Sequence, residues 1–123
     1  MDAPAGSCVY CGRPAVHAHH LTGRGPGHDQ LHDDFTVDVC RDHHGLTHND
    51  LRVQRIDTPP PGAWTTTARI AHVLRRLGVF LARYADYADN PIWAMFAQVL
   101  QQCADELDYI DLDLHPNLLG GMA

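Results

Sequence analysis

The sequence predicts an α+β fold, a small zinc-stapled strand–strand–helix module followed by an α-helical hairpin. Three observations carry that prediction. Eight of the ten histidines and three of the four cysteines lie before residue 57. The stretch DTPPPGA, residues 57–63, then punctuates the chain, because consecutive prolines favour a stiff extended spacer and forbid a helix. Beyond it, apolar residues recur at helical spacing. The organisation expected is therefore a ligand-rich module over 1–56, a spacer over 57–63 and a hairpin over 64–123.

Within the module, Cys8-x2-Cys11 and Cys40-x2-His43 frame the segment, separated by 28 intervening residues. Zinc prefers four thiolate or imidazole ligands in a tetrahedron, and each short pair can grip two corners from one tight turn. Gly12 suits the first turn. Against buried free thiols beside a solvated His43, the paired spacing favours a structural zinc held by Cys8, Cys11, Cys40 and His43. Residues 15–21 alternate as a strand would, which puts His17 and His19 on one face and His20 on the other. FTVDVC, residues 35–40, is a β-branched strand candidate able to pair with it. DHHGLTHNDLRVQ then reads as a short helix, with His44 and His48 four apart on one face. Two strands and a helix stapled at the base would bring His19 and His20 opposite His44.

After the spacer, Thr66 or Thr67 suits a helix N-cap, and Ile70, Val73, Leu74, Leu77, Leu81 and Tyr84 form an apolar stripe. Asn90 and Pro91 end that helix and start the next, as cap and first helical residue. Ile92, Phe96, Val99, Cys103, Leu107 and Ile110 make the second stripe, on which Cys103 is expected to be a buried, inert thiol. Two helices joined by a short turn pack antiparallel. HPNLLGGMA, at the end, reads as frayed.

Composition bounds the function. With 45% hydrophobic and 20% charged residues, the chain can pack a core and is not a disordered segment. Its formal charge of −6 argues against holding nucleic acid by bulk electrostatics, although bound cations would add positive charge where a site lies. No apolar run reaches membrane-spanning length and MDAPAGSC lacks a secretory signature, so a cytoplasmic protein without membrane contact is expected.

The two knuckles, the histidine pair at 19 and 20, and CRDHH at 40–44 together resemble the HNH endonucleases, the ββα-metal fold in its zinc-knuckle form. The resemblance covers about residues 8–50. It implies a divalent cation (Mg2+, Mn2+, Ni2+ or Zn2+) held by His19 and His44, with His48 where some members supply a further helix ligand. It also implies that His20 is the general base for hydrolysis of phosphodiester bonds in DNA or RNA. His43 stands where the family usually has a fourth cysteine, and Asp34 or Thr36 falls where it has its middle asparagine. Arg24, Arg52 and Arg55 are the candidates for phosphate contacts, and His17, His28 and His32 take no role. A catalytically inactive, zinc-stabilised module binding nucleic acid or protein is the alternative function. The hairpin is the expected surface for a homodimer or a partner protein.

Overall fold

The computed structural model describes residues 6–22, 35–57 and 66–122. Among these residues it is a mixed α and β structure, with two antiparallel strands and three helices: β1 (His17–His20), β2 (Thr36–Val39), α1 (Arg41–Val53), α2 (Thr66–Ala88) and α3 (Ile92–Met122). Arg24, His28, His32, Asp34 and the proline run lie outside the described residues.

The first knuckle is a tight loop. Gly12 at φ 77° makes its turn and donates to the Cys8 carbonyl at 2.9 Å, while Cys8 N–H donates to Arg13 O at 2.7 Å. Glycine reaches that left-handed conformation without the steric penalty a Cβ would bring. The strands pair in the register His17 with Val39, Ala18 with Asp38, His19 with Val37 and His20 with Thr36. Hydrogen bonds from Val16 N–H to Val39 O and from Leu21 N–H to Phe35 O continue the pairing at both ends. α1 follows β2 with no linker: Cys40 is extended, and its Sγ accepts from His43 N–H, so a knuckle ligand is also the helix cap.

α1 ends in a Schellman turn. Ile56 N–H reaches Leu51 O and Arg55 N–H reaches Arg52 O, both at 2.9 Å, with Arg55 left-handed at φ 61°. The turn reverses the chain and returns Asp57 alongside the helix.

α2 meets the module along one side. Phe80 and Tyr84 pack on the cluster of Cys8, Tyr10, Val39 and Cys40. Arg83 grips Asp50 with two parallel bonds of 2.8 and 2.9 Å, the forked geometry that makes arginine–carboxylate pairs directional. Along its other side α2 runs antiparallel to α3: Arg75 reaches Asp105 and Asp108, Gln101 donates to the Arg75 carbonyl, and Tyr84 meets Trp93. Asn90 Oδ1 accepts from Ile92 N–H at 3.0 Å, capping α3 as its sequence implies.

Four expectations need correction. Thr66 and Thr67 lie within α2 and do not cap it, and α3 remains helical to Met122, through most of the tail HPNLLGGMA, instead of fraying there. The buried seam of α3 is the small-residue line of Ala97 and Ala104, facing Gly78 of α2, not the larger apolar stripe. A Cβ on Gly78 would stand 2.9 Å from the Gln101 side chain, so the absence of a side chain at Gly78 makes room for Gln101 to lie across α2. Phe96 and Val99 are consequently 47% and 49% exposed, and Ile92, Ile110 and Ile70 of α2 also face outward. Cys103 is exposed, not buried.

The left-handed Arg55 offers a direct check. Replacing Arg55 by glycine removes a conformational penalty of about 1–2 kcal/mol and adds an unfolded-state entropy of about 0.4–1 kcal/mol. Arg55→Gly should therefore raise stability by up to about 1 kcal/mol in urea titrations; a loss of stability would mean that this turn does not form.

Candidate metal centre

Four potential ligands from the two knuckles converge: Cys8, Cys11, Cys40 and His43 offer atoms all within 4.8 Å of one another. Cys8 Sγ lies 3.6 Å from His43 Nδ1, and Cys11 Sγ lies 3.9 Å from Cys40 Sγ. With bonds of about 2.3 Å to sulfur and about 2.05 Å to nitrogen, a tetrahedral zinc would separate two sulfurs by about 3.8 Å and sulfur from nitrogen by about 3.5 Å. Both distances fit. The Cys40 Sγ to His43 Nδ1 edge is tighter, at 3.2 Å.

Neighbouring groups prepare these ligands. Arg13 Nε donates to Cys11 Sγ at 3.3 Å and brings that thiol down to about 6, so the thiolate a metal requires forms readily. His43 turns Nδ1 to the sulfurs and sets Nε2 2.9 Å from Tyr87 Oη, a partner able to accept the ring proton whenever Nδ1 holds a metal. Tyr10 lies against the same ring and against Phe80 and Tyr87. Its hydroxyl donates to Thr47 Oγ1, which donates in turn to the His43 carbonyl, and burial pushes the phenol up to about 12.

A second cluster forms where β1 faces α1. Strand alternation directs His17 and His19 to one side, and the His44–His48 step brings both helix rings to meet them. The His44 ring centroid is 4.7 Å from His17, 5.5 Å from His19 and 4.8 Å from His48; His19 and His48 are 5.1 Å apart. Ligand nitrogens of His19, His44 and His48 lie within 4.8 Å of one another. His44 Nε2 and His48 Nε2 are 3.2 Å apart. Two nitrogens on one transition ion at about 2.05 Å lie about 2.9 Å apart at a right angle and about 3.3 Å apart at a tetrahedral one. The pair therefore fits adjacent positions on a single cation.

His19 is 3% exposed. Burial, reinforced by the charge of Arg76, depresses it to about 3, and burial likewise lowers His44. A neutral imidazole is the metal-binding form, so this environment keeps His19 ready as a ligand at any physiological pH. His20 is half-buried at the end of β1, with Thr36 opposite it in the ladder; Asp34, the other residue expected to stand in for the middle asparagine, is not described. Of the arginines expected at phosphate, Arg52 pairs with Asp57 at 3.4 Å, Arg55 occupies the left-handed turn and Arg24 is not described. His17, given no role from sequence, stands beside His44.

Two further residues touch the clusters, Tyr87 at His43 and Asp57 at His48, and Arg76 holds the backbone of the adjoining His20. Each lies outside the strand–strand–helix segment, so no local spacing could disclose it. A groove of about 900 Å3 opens between the end of α1 and the hairpin, but none of its lining residues is a histidine or cysteine. Among the described residues no helix is long and apolar enough to cross a membrane.

The knuckle cluster should retain one zinc per chain through gel filtration, measured by elemental analysis. Cys40→Ser should lose it, and Tyr87→Phe should weaken it by about 10–100-fold in chelator competition, as loss of a ligand's outer partner does. A histidine whose folded pKa is depressed contributes stability that is present above its unfolded value near 6.5 and is lost as pH falls toward the folded value. With the histidine cluster free of metal, His19 should therefore remove about 2 kcal/mol of stability between pH 7 and pH 5. Urea titrations at the two pH values should show His19→Gln losing less than wild type by that margin; equal losses would place the ring in solvent.

No solved structure matches this chain. A 45-residue stretch is 44% identical to the uncharacterized protein YdfU of Escherichia coli (strain K12), covering 35% of this chain and only 13% of that protein. Residues 4–54, which carry both ligand clusters but neither Asp57, Arg76 nor Tyr87, match a family described as a protein of unknown function (DUF968).

Proposed function

We propose that this chain is a metal-dependent endonuclease of the HNH type, hydrolysing phosphodiester bonds in DNA. The observation that carries the reading is the convergence of His19, His44 and His48 at the strand–helix junction, beside a zinc-type cluster at its base. Three neutral imidazoles would hold one divalent cation and leave coordination positions open. Bound there, the cation would supply charge relief at the phosphate and at the departing 3′ oxygen. His20 adjoins the cluster without belonging to it. In this reading its imidazole takes the proton from the attacking water, the task of a base with a pKa near neutrality. Thr36, facing His20 across the ladder, would steady the strand end that presents it. The knuckle zinc would set the angle between β2 and α1 and take no part in the reaction.

The zinc-stabilised binding module remains the second reading, favoured by the −6 charge and by the pairing of Arg52 with Asp57. In either case the outward apolar face of α3 is the surface proposed for a second copy or a partner chain, which light scattering tests.

Plasmid nicking assayed with Mg2+, Mn2+, Ni2+ and Zn2+ separates the two readings. Wild type should nick. His20→Ala should lose on the order of a hundredfold or more in rate while keeping its fold and metal content. His19→Ala and His44→Ala should lose cleavage together with binding of the second cation. Wild type inactive on DNA and RNA with every cation would hand the chain to the binding module.

A further inference from the structure

We infer that Asp57 and Arg76, both outside the strand–strand–helix unit, are positioning residues that set the metal affinity of the histidine cluster. The inference rests on the metal-site reading above and deepens it.

His48 Nε2 can serve as a ligand beside His44 only if the ring proton sits on Nδ1. Asp57 Oδ1 is 2.6 Å from that Nδ1. The carboxylate can only accept, so it holds His48 as the Nδ1–H tautomer and makes Nε2 the better donor to a cation. Arg52 Nε, 3.4 Å from the other carboxylate oxygen, restrains the same group.

Asp57 belongs to no helix or strand. It stands just past the left-handed turn that ends α1, and the grip on its backbone comes from α2. Arg76, 3% exposed, donates from Nη1 to the carbonyls of Ile56 and Asp57 at 3.1 and 3.0 Å. The same guanidinium donates from Nη2 to His20 O and from Nε to Leu21 O, both at 3.1 Å. One side chain thus ties the end of β1, which carries His20, to the segment that carries Asp57. A buried guanidinium is tolerated only when its donors are satisfied, so the placement of α2 and the placement of these four carbonyls determine each other. Contacts then run from Arg76 to the Asp57 backbone, from the Asp57 carboxylate to His48, and from His48 to the cluster. A strand–strand–helix fragment with every histidine would lack this support.

The test is a calorimetric titration of the zinc-loaded full chain with Ni2+ in the absence of nucleic acid. Asp57→Asn should weaken nickel binding by about 10–100-fold with knuckle zinc unchanged at one per chain. Arg76→Lys should weaken it comparably, and the double variant should be little weaker than the weaker single, because the two residues act in series. In 15N spectra of the imidazoles, wild type should hold His48 as Nδ1–H and Asp57→Ala should release it to a mixture. Should Arg76→Lys fail to fold, Asp57→Asn and the tautomer measurement still decide. Nickel affinity in Asp57→Asn within twofold of wild type would overturn the inference, and losses that multiply in the double variant would overturn the serial link. A wild-type chain that takes up no nickel beside its zinc overturns the metal-site reading itself, a failure visible before any variant is made.

Discussion

The turn from Cys40 to His43 is the constraint on which the rest of the structure depends. Cys40 is the last residue after β2, the N-cap of α1 and one corner of the four-ligand cluster, all at once. Because no linker separates strand from helix, fixing that sulfur fixes the direction in which α1 leaves the sheet. His43, one turn on, closes the cluster from the helix side. The angle set there is what carries His44 and His48 across the face of β1.

Two kinds of polar burial follow from that geometry, and they are resolved differently. The imidazoles lose solvent but can shed their charge, so burial is met by neutrality, and His19 falls to about 3. Arg76 cannot shed its charge so readily; burial drives its pKa down while Asp57 opposes the shift. Its burial is met instead by four backbone carbonyls from two chain segments. The proximity of that fixed charge is itself part of why His19 stays unprotonated. The buried arginine and the buried histidine are thus coupled through electrostatics.

α2 serves two neighbours, and this explains why its apolar pattern is broader than one stripe requires. Phe80, Arg83, Tyr84 and Tyr87 turn toward the knuckle and α1, while Arg75 and Gly78 turn toward α3. α3 touches mainly its partner helix, and with a seam of alanines it can approach closely while leaving its bulkier residues outside. Hydrophobic periodicity marks which arc of a helix is apolar, not which arc a neighbour covers. Ile92, Phe96, Val99 and Cys103 look like core by spacing and face outward in the fold.

The sequence by itself determined the ligand pairs at 8–11 and 40–43, the two strands, the His44–His48 face and the cap at Asn90. Each is written in neighbours a few residues apart, where strand alternation, helical pitch and capping chemistry act directly on the chain. Only the tertiary structure decided which residues support the clusters and the strand end beside them. Tyr87 reaches His43 from 44 residues away, Arg76 reaches His20 from 56, and Asp57 arrives through a left-handed turn that an arginine does not advertise. Those contacts depend on how α2 docks, and docking is settled by the summed burial of Tyr10, Phe80 and Tyr84 and by the hydrogen bonds of one guanidinium. No local spacing encodes such a sum, so the candidate ligands could be read from the chain and their supports could not.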